Sequence, residues 1–102
     1  MDSKIILGRL LQKFIDLQVS QFGNYNTFGF VRLSGNSIIV SREEGADTPL
    51  PFKKIIKAIE GYQADNGLYN LGPAELRKLG ITHINSPVHS ILHLLPKEVY
   101  NE

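Results

Sequence analysis

Residues 71–95 read LGPAELRKLGITHINSPVHSILHLL, and this stretch carries the clearest fold signal in the chain. We expect a short helix over 74–79 that Gly80 ends, because glycine readily adopts the left-handed conformation of a helix C-cap. A last helix is expected over 88–95. The Ser-Pro pair at 86–87 marks its start, since serine caps helices and proline is tolerated in the first helical turn. The stretch therefore predicts two helices joined by a turn.

This arrangement resembles the helix-turn-helix pattern, in which a short helix ending Glu-Leu-x-x-Leu-Gly-Ile precedes a second helix with an apolar inner face. The matching residues are Glu75, Leu76, Leu79, Gly80, Ile81, Val88, Ile91 and Leu92. With a further helix before it, the region 51–95 resembles the three-helix core of winged-helix domains. The turn is about two residues longer than the common form, and no hairpin follows the last helix. The resemblance implies a module that acts together with nucleic acid.

Composition limits the class of protein. The chain has 102 residues, 42% of them hydrophobic, with 11 Lys and Arg against 10 Asp and Glu. These values predict one folded domain over 1–102, and the net charge of +1 argues against a strongly basic nucleic-acid binder. The absence of cysteine excludes disulfides and thiolate zinc sites. No apolar run reaches the roughly 20 residues of a membrane span, so we expect a cytoplasmic protein with no membrane partner.

Toward the N-terminus the pattern predicts a helix over 1–20, with Asp2 or Ser3 as its N-cap. The apolar positions that recur at helical spacing are Ile6, Leu10, Phe14 and Leu17. We expect one side of this broad apolar face to pack on the domain and the other on neighbouring loops. The alternative is that the face makes a dimer contact.

A two-stranded antiparallel β-hairpin is predicted over 28–42, with its turn at 34–36, because Gly and Asn tolerate the positive φ of a tight turn. Phe28 and Phe30 are expected to face the core. An alternative for this region is an aromatic and basic ribbon that binds single-stranded nucleic acid. The residues of such a ribbon are Tyr25, Phe28, Phe30 and Arg32.

The remaining segments complete the predicted fold. Residues 43–49 are predicted as a polar loop, a second helix begins near Pro51, 68–71 is a short extended piece, and 97–102 is a frayed tail. The predicted fold class is therefore α+β. It has an N-terminal helix, a two-stranded hairpin, and a three-helix, helix-turn-helix-like bundle over 51–95.

Basic and polar side chains of the C-terminal half are the candidates for nucleic-acid contacts. Lysine and arginine on the second and third helices would contact phosphates, while polar residues at the start of the last helix would face DNA or RNA bases. The predicted nucleic-acid-binding residues are Lys53, Lys54, Lys57, Arg77, Lys78, Asn85, Ser86 and His89. The alternative is that the lysines form an ordinary solvated helix face.

The three histidines raise the question of a metal site. His89 and His93 stand four residues apart, so they share one face of a helix, and a third ligand would have to come from His83 or Glu75. Histidines at the surface or at the edge of the core explain the same pattern. We predict no metal site and no cofactor.

Catalytic motifs are not evident in the chain. The carboxylates Glu43, Glu44 and Asp47 cluster in one loop, which is typical of solvated side chains, and no phosphate-binding glycine loop or nucleophile motif stands out. We therefore predict a non-enzymatic binding module associated with nucleic acid. The alternative is a protein–protein interaction or dimerisation module, such as a small regulator, inhibitor or adaptor, which the apolar first and last helices favour.

Overall fold

The computed structural model describes all residues 1–102, which form a mixed α+β fold and so confirm the predicted class. The α-helices are α1 (Ser3–Leu17), α2 (Phe52–Ala64) and α3 (Asn85–Leu92). The strands are β1 (Val19–Ser20), β2 (Phe28–Ser34), β3 (Ser37–Arg42) and β4 (Thr48–Pro51). The 3-10 helices are η1 (Asn66–Asn70), η2 (Pro73–Leu79) and η3 (Lys97–Asn101). None of these helices is both long and apolar enough to cross a bilayer.

The sheet has four antiparallel strands in the order β1-β2-β3-β4, so the prediction of only two strands is wrong. The predicted hairpin is present as β2 and β3, with Ser34 opposite Ser37. β1 occupies positions predicted as helix. The helix ends earlier because Gln18 adopts a φ of 66° and its backbone N–H bonds to the Phe14 carbonyl. The chain then turns to pair Val19–Ser20 with β2.

β4 replaces part of the predicted loop over 43–49 and forms an edge of the sheet. Pro49 and Pro51 occupy alternate positions of this strand, while Leu50 pairs with Ile38. Proline has no N–H to donate, and it is found in sheets mainly on edge strands. The pairing with β3 is intact, so the missing donors lie on the outer side.

The core lies between one face of the sheet and the helices. Buried side chains of α1, including Ile6, Leu10 and Phe14, pack toward it, and the Phe14 and Phe30 rings meet edge to face at 5.9 Å. Ile6, Leu10 and Phe14 are therefore covered within the domain, whereas Leu17, the fourth residue of the predicted apolar face, is 50% exposed. Phe28 is also buried, as expected for a core-facing strand.

The predicted three-helix bundle over 51–95 differs in its middle part. Of the extended piece predicted at 68–71, residues 68–70 instead belong to η1, because the Asp65 carboxylate accepts a bond from the Gly67 N–H and opens a 3-10 turn, and only Leu71 is extended. The helix expected over 74–79 is the 3-10 helix η2. Gly80 ends it with a φ of 81°, which confirms the predicted C-cap.

α3 begins one residue before the predicted N-cap. The Val88 N–H bonds to the Ile84 carbonyl, so Ile84 is the cap residue and Ser86 lies inside the first turn. Seven of the eight α3 residues are buried, with only Ser86 partly exposed. The helix is thus enclosed on all sides.

The frayed tail predicted over 97–102 is wrong. This segment forms η3, in which Val99 and Tyr100 are buried. The Tyr100 hydroxyl donates to the Leu92 carbonyl at the end of α3. Apolar burial and this bond together fix a segment whose sequence alone carries no strong helical pattern.

Candidate functional site

Four basic residues surround the turn at Gly80, and we call them the Gly80 basic patch: Lys54, Lys57, Arg77 and Lys78. Lys54 Nζ donates to the Gly80 carbonyl at 3.2 Å. Lys57 Nζ lies 3.2 Å from the position that a Cβ on Gly80 would occupy. Arg77 and Lys78 are exposed in the last turn of η2, directly before Gly80. Four of the five basic residues predicted to bind nucleic acid therefore meet at one turn.

The patch is only partly neutralised. Lys78 Nζ pairs with a Glu75 carboxylate oxygen at 2.8 Å, and this hydrogen bond, followed by the charge of Glu75, raises the pKa of Lys78. Both side chains reach solvent, so the pair contributes little to stability. The carbonyls at the end of η2 favour nearby cations, which explains locally why Lys54 turns toward Gly80.

Lys53, the fifth predicted basic residue, faces a different surface. It lines a shallow cleft of about 340 Å³ at the start of α2, beside Asn36 of the hairpin turn and Ser37 of β3. It is therefore not part of the Gly80 basic patch.

Two of the three polar residues predicted to face bases are used inside the protein. Asn85 is buried and donates from Nδ2 to the Pro73 carbonyl at 3.1 Å. His89 is buried, and its Nε2 lies 3.1 Å from the Leu71 carbonyl. Ser86 is partly exposed. Because α3 is enclosed, this geometry does not present Asn85 and His89 to a ligand.

A second group of side chains, which we call the histidine–aromatic cluster, consists of Phe22, Tyr25, Tyr69, His89 and His93. The His93 ring lies 4.2 Å from each of the Phe22, Tyr69 and His89 rings, measured between centroids. The Tyr25 ring meets His89 edge-on at 5.3 Å. The loop over 21–27 is therefore packed on α3 through two of its aromatic residues.

Both ring nitrogens of His93 contact backbone carbonyls. Nδ1 lies 2.7 Å from the His89 carbonyl, one turn earlier in α3, and Nε2 lies 2.8 Å from the Tyr69 carbonyl in η1. A carbonyl oxygen only accepts hydrogen bonds, so each contact needs a proton on the ring nitrogen. His93 thus joins α3 to η1.

His89 contacts only one carbonyl, so it needs a proton on only one of its ring nitrogens. Burial lowers the pKa of His89 to about 4, the charge of His93 acts in the same direction, and the contact with the Leu71 carbonyl opposes both. His89 is therefore neutral at physiological pH. Its proton lies on Nε2, because the Leu71 carbonyl can only accept.

The histidines do not form a metal-binding set in this conformation. His89 and His93 share a helix face as predicted, but no group of three or more His, Cys, Asp or Glu side chains is close enough to hold an ion. His83 is exposed in the turn before α3, with a φ of 64°. The two ring nitrogens of His93 are both occupied by carbonyls.

Sequence reasoning missed Phe22 and Tyr69 as partners of the histidines. The path of η1, which no local pattern indicated, brings Tyr69 and its carbonyl to His93. Phe22 lies in a loop rich in Asn and Gly, where a large apolar residue is unusual. This contrast is the one feature of the sequence that indicates a packed position for Phe22.

The largest cavity, of about 510 Å³, lies at the loop between β3 and β4 and is wide open to solvent. Arg42, Glu44 and Asp47 line it, with Asn26 from the loop before β2. Glu43 points to a different partner and accepts a bond from the Thr27 N–H. All three carboxylates of this loop are exposed, which is the arrangement expected of solvated side chains.

The chain matches no family model, and neither a curated protein nor a solved structure is significantly similar to it.

Proposed function

We propose that this protein is a non-enzymatic binding module that contacts the phosphate backbone of nucleic acid through the Gly80 basic patch. The observation that carries the proposal is the convergence of Lys54 and Lys57 on the turn that directly follows Arg77 and Lys78. These four cations are opposed at this turn by the single carboxylate that pairs with Lys78. A local excess of positive charge attracts a polyanion even where the whole chain is nearly neutral.

The buried state of α3 favours backbone contacts over base reading. Base-specific recognition needs a helix or ribbon that enters a groove with free polar side chains. Asn85 and His89 instead bond to carbonyls of the protein's own backbone. We therefore expect binding that depends strongly on salt and weakly on nucleotide sequence.

The test is a fluorescence titration of labelled duplex and single-stranded DNA and RNA at low salt. We expect a Kd in the micromolar range, with a log–log salt slope of about −3 for three or four duplex contacts. Lys57→Glu combined with Lys78→Glu should weaken binding at least about tenfold, because each reversal replaces a phosphate contact with repulsion. Lys57 and Lys78 are both exposed. Lys54 is not substituted, because it donates to the Gly80 carbonyl at the end of η2.

Lys13→Glu is the matched control. Lys13 is exposed on α1 beside Arg9 and Asp16, so the variant matches the charge change of the single substitution Lys57→Glu or Lys78→Glu at another surface. The proposal is wrong if none of the four nucleic acids binds in the micromolar range. It is also wrong if Lys13→Glu weakens binding as much as reversal of Lys57 or Lys78 does.

A second candidate function is association with a second copy of this chain, favoured by an exposed apolar group on the histidine–aromatic cluster. Phe22, Tyr25 and Leu71 are 39%, 45% and 47% exposed. Tyr25 lies over Gly72, with its hydroxyl 2.9 Å from the position of a Cβ there, so these side chains belong to one surface. Light scattering at increasing concentration should detect a dimer that Tyr25→Ser abolishes. A monomer at every concentration contradicts this candidate.

A further inference from the structure

The contacts of His93 require more protons than a neutral imidazole carries. A neutral ring has one N–H, so one of the two carbonyls, that of His89 or that of Tyr69, would face a nitrogen lone pair at under 3 Å. An imidazolium has two N–H groups and donates to both. Two charge-assisted bonds replace one neutral bond and one repulsive contact.

The rings around His93 also suit a cation. The Phe22 and Tyr69 rings lie 4.2 Å from the His93 ring, within the distance at which aromatic rings attract a positive charge. Tyr62 of α2 contacts the same ring edge-on at 5.9 Å. Aromatic side chains thus partly replace the water that the charged ring gives up.

None of the titratable groups near His93 places a second positive charge beside its ring. Burial raises the pKa of Tyr62, Tyr69 and Tyr100, so these hydroxyls stay neutral. Glu98 of η3 is the one carboxylate that acts on Tyr69, and its charge also favours a cation nearby. In α3, the neutral His89 ring contacts His93. In the 21–27 loop, Tyr25 contacts His89.

We infer that His93 is held as the imidazolium and that its second proton fastens α3, η1 and the 21–27 loop to one another. Phe22 rests on the His93 ring and Tyr25 on the His89 ring, so this cluster holds the aromatic part of the loop, while the end of the loop is bonded to Glu43 through the Thr27 N–H. Loss of the proton removes one bond between ring and carbonyl and the attraction to Phe22. Raising the pH therefore releases residues 22–25 from the histidine rings, and lowering the pH restores their packing.

The experiment is an NMR titration of the full chain, labelled with ¹⁵N in its histidine rings and backbone, from about pH 5 to about pH 9. Near neutral pH both His93 ring nitrogens should be protonated, while His89 should carry a proton on Nε2 alone. The backbone signals of Gly23 and Tyr25 should shift with the same midpoint as the His93 ring. This readout involves no nucleic acid, so it is independent of the proposed function.

Two variants sharpen the test. His83→Asn should leave the transition of the loop signals unchanged, because His83 is exposed and asparagine tolerates its positive φ. His93→Gln supplies one amide donor group and no charge, so the loop signals should lose their pH dependence. A single protonated nitrogen on His93 near neutral pH overturns the inference. So do loop signals that titrate without the His93 ring, and both results come from the wild-type chain.

Discussion

His89 in α3 and His93, which directly follows α3 as its C-cap, lie one turn apart, and their neighbours give them different chemistry. His93 contacts two carbonyls and remains partly exposed, whereas His89 is buried and contacts one. Their spacing of four residues predicted a shared helix face, which the ring distance of 4.2 Å confirms. The Leu71 and Tyr69 carbonyls could not be predicted, because their positions depend on how η1 folds back onto α3.

The lowered pKa of His89 predicts a loss of stability in mild acid. The unfolded chain binds a proton at His89 near the ordinary value of 6.5, while the folded chain binds it only near pH 4. Stability is therefore fully present above pH 6.5 and falls as the pH drops toward about 4. Urea unfolding at several pH values measures this slope. In His89→Gln, whose amide retains a donor for Leu71, the slope should be smaller, and an unchanged slope would contradict the assignment.

Among the secondary-structure elements, η2 ends at a glycine and α1 contains one, and the two glycines affect stability in opposite ways. Gly80 ends η2 with a φ of 81°, a conformation that side chains with a Cβ rarely adopt. Gly8 lies inside α1 on an exposed face, with nothing within 4 Å of where a Cβ would be. The sequence predicted the cap at Gly80 from the Leu-Gly-Ile pattern. It did not reveal that η2 is a 3-10 helix, because the two helix types use similar caps and spacings over seven residues.

Alanine at these two glycines should change stability in opposite directions. Gly80→Ala forces a Cβ into the left-handed region beside Lys57 and should lower the free energy of unfolding by about 1–2 kcal/mol. Gly8→Ala adds a helix-favouring residue at an open position and should raise it by about 0.5–1 kcal/mol. Chemical denaturation of both variants measures the difference. Equal effects of the two substitutions would rule out the left-handed cap as the cause.

The strands that the sequence missed are short and depend on their partners. β1 has two residues and β4 has four, and neither carries a run of alternating apolar residues. β1 forms because α1 stops at Leu17 and returns the chain to β2. Pairing with a neighbour, rather than local propensity, decides such strands. The longer β2 and β3 were predictable because their sequences favour strands on their own.

Across the whole molecule, tertiary contacts decide which predicted residues are available for function. The overall charge of +1 gives no sign of the Gly80 basic patch, in which four of the five basic residues predicted to bind nucleic acid lie together. Asn85 is unavailable because it bonds to the Pro73 carbonyl of η2. His89 is unavailable because it contacts the Leu71 carbonyl and the Phe22 and Tyr25 rings. Helical spacing alone predicted one exposed face for α3. It could not predict that the chain covers that face with the 21–27 loop and η1.

The C-terminal segment should contribute strongly to global stability. Tyr100 is 1% exposed, contacts the Tyr62 ring at 5.3 Å and bonds to the Leu92 carbonyl. Tyr100→Ala should therefore cost about 3–5 kcal/mol, the usual range for removal of a buried aromatic ring. Asn101→Ala, an exposed change in the adjacent position, should alter stability by less than about 0.5 kcal/mol. If thermal unfolding gives the two variants equal midpoints, η3 does not close the core.

The prolines of β4 also affect how readily the protein aggregates at high concentration. A free strand edge can recruit a neighbouring chain, which then extends the sheet and leads to fibrils. Pro49 and Pro51 leave that edge without two of the donors such growth requires. The other edge offers only two residues of β1 before the open part of β2. We therefore expect ordered aggregation through strand pairing to start at the open part of β2, and a charged residue in place of Leu33, which is exposed there, should extend the shelf life of the protein.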